Sequence, residues 1–405
     1  MWASVRRMLR VIMSEEETIF TITEANLDSG LRGVPVGTCR TSFVDPIEGV
    51  HYVGYPVGDL ANLEEEDVIY LLMHKRLPNP EESEAFRAEL AHRAEEIPTG
   101  ALRVLESLTP GSGHPMDWLS IGIMALGAAD TNTRRPGSSR ADAMNLIARM
   151  PELMARLFLL RGGKPEKLKP RKPELGLVEN FVHMLGVEGD EAARMERVLR
   201  FFFILHMDHG GGNLSTFSGK AVASGRASIY ASIASAMNAL SGPLHGRANQ
   251  ACLEFVQRIG TSDPDEIEAF VRSELAARRP IYGFGHGVLR AEDPRASLLI
   301  GLGEEICPDD ENFRTVTALR EVVPPILKEI PKISNPYPNV DLASGSLLNS
   351  VGFRKPDYYT TFFGWARVAG ICAQILDERS ARDGRGTPIY RPKYIPLDQP
   401  HQRLG

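Results

Sequence analysis

The chain has 405 residues, 43% hydrophobic and 24% charged, with a formal net charge of −6. That length exceeds one small core and points to a large domain with a smaller one, while the acidic balance argues against nucleic acid as the main partner. No apolar run approaches the roughly 18 residues of a membrane span, and Cys39, Cys252, Cys307 and Cys372 form no CxxC pair, which argues against a zinc ribbon or a disulfide framework.

The first thirteen residues carry three arginines and no acid. They are short and serine-poor for a transit peptide. A translation start at Met13, just before the acids Glu15 to Glu17, is the favoured reading, with the cytoplasm rather than the mitochondrial matrix as location. Residues 39–44 and 51–57 have strand character, so any sheet is small. Val68, Leu71 and Leu72 mark a helix stopped by Pro78 and Pro80. Residues 130–140 and 161–173 have loop composition, and the second is rich in lysine and arginine; a solvated loop is the preferred reading over a phosphate-attracting patch.

Further along, Met195, Val198, Leu199 and Phe202 recur at the spacing of one buried helix face. Ile229, Ile233, Met237 and Leu240 do the same in a segment crowded with alanine and serine. Small residues let two helices approach closely, and an internal core and a subunit contact both fit that pattern. The sequence contains no internal repeat.

Chemistry concentrates in a few places. His245 lies in Gly242-Pro243-Leu244-His245-Gly246, His286 in Gly283-Phe284-Gly285-His286-Gly287, and Asp341 in Pro338-Asn339-Val340-Asp341. Glycines beside a histidine leave room for a ligand and permit unusual backbone angles; with a carboxylate, such histidines suit acid–base work on a small molecule. The third glycine spacing of a dinucleotide fingerprint is missing. His206-Met207-Asp208-His209 invites a metal reading, but the i, i+3 histidines lack a further ligand, so no metal site is expected. Arg367 sits in a mostly apolar helix, where an unpaired guanidinium costs roughly several kcal/mol. A protein carboxylate or a bound anion must answer it.

Together GPLHG, GFGHGVLRAEDPR and NPYPNVD resemble the catalytic motifs of the citrate synthase family, in the family's order, and the resemblance runs from Leu31 to Arg391. It implies a mainly α fold with little β: a large domain from residues 1–246 and 353–405, and a smaller inserted domain from 247–352. It implies a homodimer with active sites in the clefts between domains. By the same resemblance Asp341 is the base that removes a methyl proton from acetyl-CoA. His245 donates to the enolate oxygen as a neutral imidazole, and His286 polarises the ketone of oxaloacetate. His209, Arg295 and Arg367 are then ligands of oxaloacetate and citrate, with Arg391 supplied by the partner subunit. Ile281, Gly283, Gly285 and Arg290 are the implied CoA contacts. Acetyl-CoA is a substrate, so no further cofactor is expected.

Three guanidiniums balance the three carboxylates of citrate, and arginine's planar fork suits carboxylates. A carboxylate deprotonates a thioester methyl only steeply uphill, so the enolate oxygen needs a donor placed in advance. The sequence departs from the family pattern at Arg247 and in residues 381–390, which run a few residues longer than that pattern. 2-Methylcitrate synthase, acting on propionyl-CoA, is the nearest alternative; a non-catalytic citrate- or CoA-binding paralogue conflicts with the intact triad.

Overall fold

The computed structural model describes residues 18, 20–95, 97–130, 139–382 and 384–393. Residues 1–13 and 131–138, on which two of the readings above fall wholly or in part, lie outside them. The chain up to Thr38 is a compact unit of its own, with one 3-10 turn, Glu24–Asn26, among its described residues.

The second unit opens with three antiparallel strands in the order β1 (Ser42–Asp45), β2 (Gly49–Tyr52) and β3 (Tyr55–Pro56). The expected single strand over 51–57 is therefore two. Val53 and Gly54 take φ of 51° and 89°, the paired left-handed angles of a tight hairpin turn, so the chain reverses there. Helix makes up 61% of the structure and strand 3%, the mainly α class read from the sequence.

Among the described residues ten helices follow: α1 (Val57–Leu60), α2 (Glu65–His74), α3 (Pro80–Glu95), α4 (Thr99–Glu106), α5 (Pro115–Ala129), α6 (Ser139–Arg161), α7 (Leu177–Met184), α8 (Gly189–His206), α9 (Leu214–Ser224) and α10 (Ile229–Leu240). Lys75 ends α2 in the left-handed region, its N–H bonded to Leu71 O, and Pro80 opens α3. Segment 161–173 is a loop with one 3-10 turn, Pro165–Lys167, after α6 has run through Arg161. The expected apolar faces are inside: Met195, Val198, Leu199 and Phe202 on α8, and Ile229, Ile233, Met237 and Leu240 on α10. Each such burial is worth about 2 kcal/mol before entropy. The small residues of α9 and α10 serve close packing within the chain. A Cβ on Gly219 would stand 3.2 Å from that of Ala236, and the hydroxyls of Ser218 and Ser235 meet at 2.7 Å.

Five helices then pack chiefly on one another: α11 (Ala248–Ile259), α12 (Pro264–Ala276), α13 (Pro294–Ile306), α14 (Glu311–Lys328) and α15 (Asp341–Ser350). Asp263, Asp293 and Asp310 cap three of them by accepting first-turn N–H groups, the usual service of aspartate at a helix start. The last helix, α16 (Tyr359–Ser380), is buried along most of its length, with Arg367 and Gln374 among its few buried polar residues.

One buried polar cluster lies at the start of α2. Val178 N–H donates to Glu65 and Leu177 N–H to Glu66, at 2.9 and 2.7 Å, so two glutamates close the N-terminus of α7 from outside. Arg200 Nε donates to Glu65 at 3.0 Å. Burial, and then the neighbouring Glu65 charge, push Glu66 up to about 8. Among the described residues, Glu64, Glu65 and Glu66 are the carboxylates close enough to share an ion; the Arg200 guanidinium already pairs with Glu64 and Glu65.

Candidate active site

His245 sits on the turn after α10. Gly246 follows because a Cβ there would fall 2.2 Å from Leu240 O, so only glycine lets the chain turn this sharply. The first turn of α9 meets the imidazole: the Ser215 N–H donates to Nε2 at 3.2 Å, with Ser215 Oγ 3.0 Å from the same nitrogen. A backbone amide only donates, so Nε2 carries the lone pair and the ring proton belongs on Nδ1. Burial, with the Arg367 charge adding to it, pulls the pKa down to about 4. His245 is thus a neutral donor through Nδ1.

The other two motifs are joined to each other. Phe284 and Pro338 form an isolated antiparallel bridge. Gly285 N–H donates to Tyr337 O at 3.0 Å, Asn339 N–H to Gly283 O at 2.9 Å, and Asn339 Nδ2 to Gly285 O at 2.8 Å. Gly283 has φ of 84°, and a Cβ there would press within 2.9 Å of Cys252 Sγ and Leu342 Cδ1. Beyond this bridge the loop folds back so that the N–H groups of Val288 and Leu289 donate to His286 Nδ1 at 3.1 and 3.0 Å. His286 therefore has the opposite tautomer to His245, with its proton on Nε2. Burial and then Arg295 lower its pKa to about 4. The His209 ring lies 5.4 Å from that of His286, and burial followed by the charges of Arg295 and Arg367 holds it well below the usual histidine range.

Arg367 is buried, with Nε donating to His206 O at 2.9 Å and the guanidinium over the Phe363 ring at 4.8 Å. No carboxylate of the described residues pairs with it, and burial pulls its pKa down to about 10 against the pull of Asp208. Asp208 is itself committed: Thr41 Oγ1 donates to Oδ2 at 2.6 Å, and Gln374 Nε2 and the His209 N–H donate to Oδ1. In the metal-like run, His206 Nδ1 is 2.7 Å from Phe202 O. This is a helix end whose side chains satisfy backbone groups.

Arg295, expected as a substrate ligand, is held by Asp293 through Nε and Nη2 at 3.0 and 2.7 Å. Burial opposes the Asp293 charge, but Arg295 outweighs it and keeps the carboxyl below its usual pKa. Asp341 is the first residue of α15, its N–H bonded to Asn339 Oδ1 at 3.0 Å. Burial raises it to about 6, with Arg295 pulling the other way. The cluster thus offers two guanidiniums, neutral imidazole donors and one carboxylate whose basicity suits proton abstraction near neutral pH.

The two guanidiniums tie the cluster together: the Arg295 charge acts on His209, His286 and Asp341, and the Arg367 charge on His209 and His245. Arg391 stands apart, exposed on the terminal segment. That segment is fixed through Tyr390, whose N–H donates to Ser224 Oγ and whose ring stacks on Phe217. Ile281 is half-buried near the bridge, whereas Arg290 is exposed and curls onto carbonyls of its own loop, Nη1 lying 2.8 Å from Leu289 O. Arg247 precedes α11, and its charge reaches His114. Sequence reasoning missed Asp293, Asn339 and Ser215 as the groups that position Arg295, the bridge and His245. Asp293 was visible as the cap of a Pro-Arg helix start; the other two act across long stretches of chain.

A family model described as "Citrate synthase, C-terminal domain" matches residues 30–393. A mitochondrial citrate synthase of Citrus maxima is 35% identical, over 91% of this chain and 82% of its own. A mitochondrial 2-methylcitrate synthase of Yarrowia lipolytica is 32% identical, over 97% of this chain and 89% of its own. Among solved structures, the citrate synthase of Thermotoga maritima superposes with a TM-score of 0.78 at 31% identity, covering 92% of this chain and 97% of that one.

Proposed function

This chain belongs to the citrate synthase family, and on that premise we propose that it condenses acetyl-CoA with oxaloacetate and hydrolyses the resulting citryl-CoA to citrate and CoA. It is an acyltransferase. The observation that carries the reading is the pair of opposite, fixed tautomers, with a carboxylate of raised pKa on the turn bridged to the His286 loop. Asp341 takes a methyl proton of the thioester, and the charge moves to the thioester oxygen, where His245 Nδ1–H donates. The methylene carbon then attacks the ketone carbon while His286 Nε2–H donates to the ketone oxygen. His209, Arg295 and Arg367 hold the carboxylates of oxaloacetate. A guanidinium buried without a carboxylate is costly alone and well suited to an anionic substrate.

The proposal extends to the domains. Helices α11–α15, within residues 247–352, act as the small domain that closes on oxaloacetate and completes the CoA site around Ile281, Gly283, Gly285 and Arg290. It also extends to a homodimer in which Arg391 enters the partner's site. The apolar side chains such a partner would cover include Leu244, beside His245 and 102% exposed, with Leu214 on α9 and Met124 and Ile121 on α5. All four cysteines are unpaired, in keeping with a reducing compartment, and we place the enzyme in the cytoplasm. The reaction calls for no metal.

CoA release from acetyl-CoA and oxaloacetate tests the reading; no release above background removes it. The likeness to a 2-methylcitrate synthase carries a second reading on propionyl-CoA. One methylene in an apolar pocket changes kcat/KM by about 10- to 200-fold, so comparing the two thioesters decides between them.

A further inference from the structure

Residues 387–393, which carry Arg391, form no helix or strand, so contacts with the rest of the chain must fix where that side chain points. Two of them are made by the main chain. Arg226 Nη2, just past α9, donates to Arg385 O at 2.6 Å, and the Tyr390 N–H donates to Ser224 Oγ at 3.1 Å. A third runs through side chains. The Tyr390 hydroxyl donates to Glu378 Oε1 at 3.2 Å, and the same oxygen accepts from Lys220 Nζ at 2.9 Å. Lys220 is 4% exposed, and its ammonium lies against Gly211, two residues past His209, where a Cβ would stand 2.8 Å from Nζ. An ammonium buried that deeply needs its carboxylate, so Lys220 pins Glu378 from the inside. Glu378, half-buried near the end of α16, then presents an ionised acceptor to Tyr390, and such hydrogen bonds are roughly twice as strong as neutral ones.

Tyr390 is thereby held by its main chain, by its ring on Phe217 and by its hydroxyl. The next side chain, Arg391, is left exposed. We propose that Glu378 is a positioning residue for Arg391: with Lys220 behind it, it locks Tyr390 and so aims the following guanidinium out of its own subunit. The inference rests on the reading that Arg391 serves the neighbouring active site.

Steady-state kinetics of the full chain test it. Glu378→Gln keeps the shape and removes the charge. Tyr390→Phe keeps both the stacked ring and the Lys220–Glu378 pair and removes only the hydroxyl, so it reports on the link even if the first variant folds poorly. Each raises the oxaloacetate KM about tenfold and changes kcat less, and Tyr390→Phe leaves the melting temperature unchanged. Placed on Arg391→Ala, Tyr390→Phe adds nothing further to KM, since coupled residues are not additive; a contact that served stability alone would act equally in both backgrounds. If Arg391→Ala raises KM but Tyr390→Phe does not, or if the Tyr390→Phe effect persists in full without Arg391, the role of Glu378 is overturned while that of Arg391 stands. If Arg391→Ala leaves KM unchanged, the underlying reading falls and the inference with it.

Discussion

The start of α2 and the surroundings of Arg367 both bury ionisable groups, and they do so in opposite ways. At the start of α2, Glu65 is closed off by the Val178 N–H and Arg200, while burial keeps a proton on Glu66, which accepts the Leu177 N–H. Around Arg367 the account stays open. That guanidinium has a backbone carbonyl and a phenyl ring beside it, and the imidazoles nearby are neutral. Burying a charge costs several kcal/mol unless it is paired, so a closed cluster serves the fold whereas an open one is finished by a ligand. The two regions should therefore respond differently to the same kind of change.

The largest expected effect is at Asp341. Replacement by Asn lowers kcat by about 10³-fold and leaves oxaloacetate binding intact, because the base acts on the transition state rather than on ground-state binding. Rapid-quench turnover with calorimetry of oxaloacetate checks this; near-normal turnover removes Asp341 from the mechanism. Next comes Arg367→Met, which raises the oxaloacetate KM by about 10²-fold with an unchanged or higher melting temperature, since it removes an unmatched buried cation. Arg200→Met does the reverse. It leaves KM alone and lowers stability by about 2–3 kcal/mol, because Glu65 then lacks its cation. Equal stability losses in the two variants would erase the contrast drawn here.

Protonation separates the clusters further. Glu66 has a folded pKa of about 8, above its ordinary 4.5. Between those values the folded chain keeps a proton that the unfolded chain has released, so stability falls as pH rises through the window. Glu66→Gln should flatten that slope, as read by urea denaturation at several pH values. In the active site the sign concerns activity. Asp341 must be ionised, so kcat/KM drops about tenfold per pH unit below about 6, while histidines near 4 add no limb between pH 5 and 8. A pH–rate profile with its acid limb near 4 contradicts Asp341 as base. The smallest effect tests the partner role of Arg391. Arg391→Ala and Asp341→Asn chains, each nearly inactive alone, form about half mixed dimers on random exchange, with one intact site each. Roughly a quarter of wild-type activity should return. Verified exchange without recovery places Arg391 outside the neighbouring site.

The histidines and the aspartate were legible because each lies in a short motif whose glycines and prolines announce a special backbone. The buried faces of α8 and α10 were legible from periodicity. Other features belong to tertiary structure and leave little local trace. Glu65 and Glu66 look like solvated first-turn acids until α7 is seen to start on top of them. Val53 carries the pattern of a strand, and only its positive φ shows the hairpin. The Ser215 contact that fixes the His245 tautomer joins residues 30 positions apart, and the side-chain contact from Asn339 to the His286 loop spans 54.

That last contact matters for anyone who would rebuild the enzyme. Because the bridge at Phe284 and Pro338 makes the His286 loop and the Asp341 turn one part, neither is a module that can be exchanged alone. A graft of residues 283–290 from a relative needs residues 335–339 from the same donor, and libraries aimed at new acyl chains should vary the two segments as a single cassette.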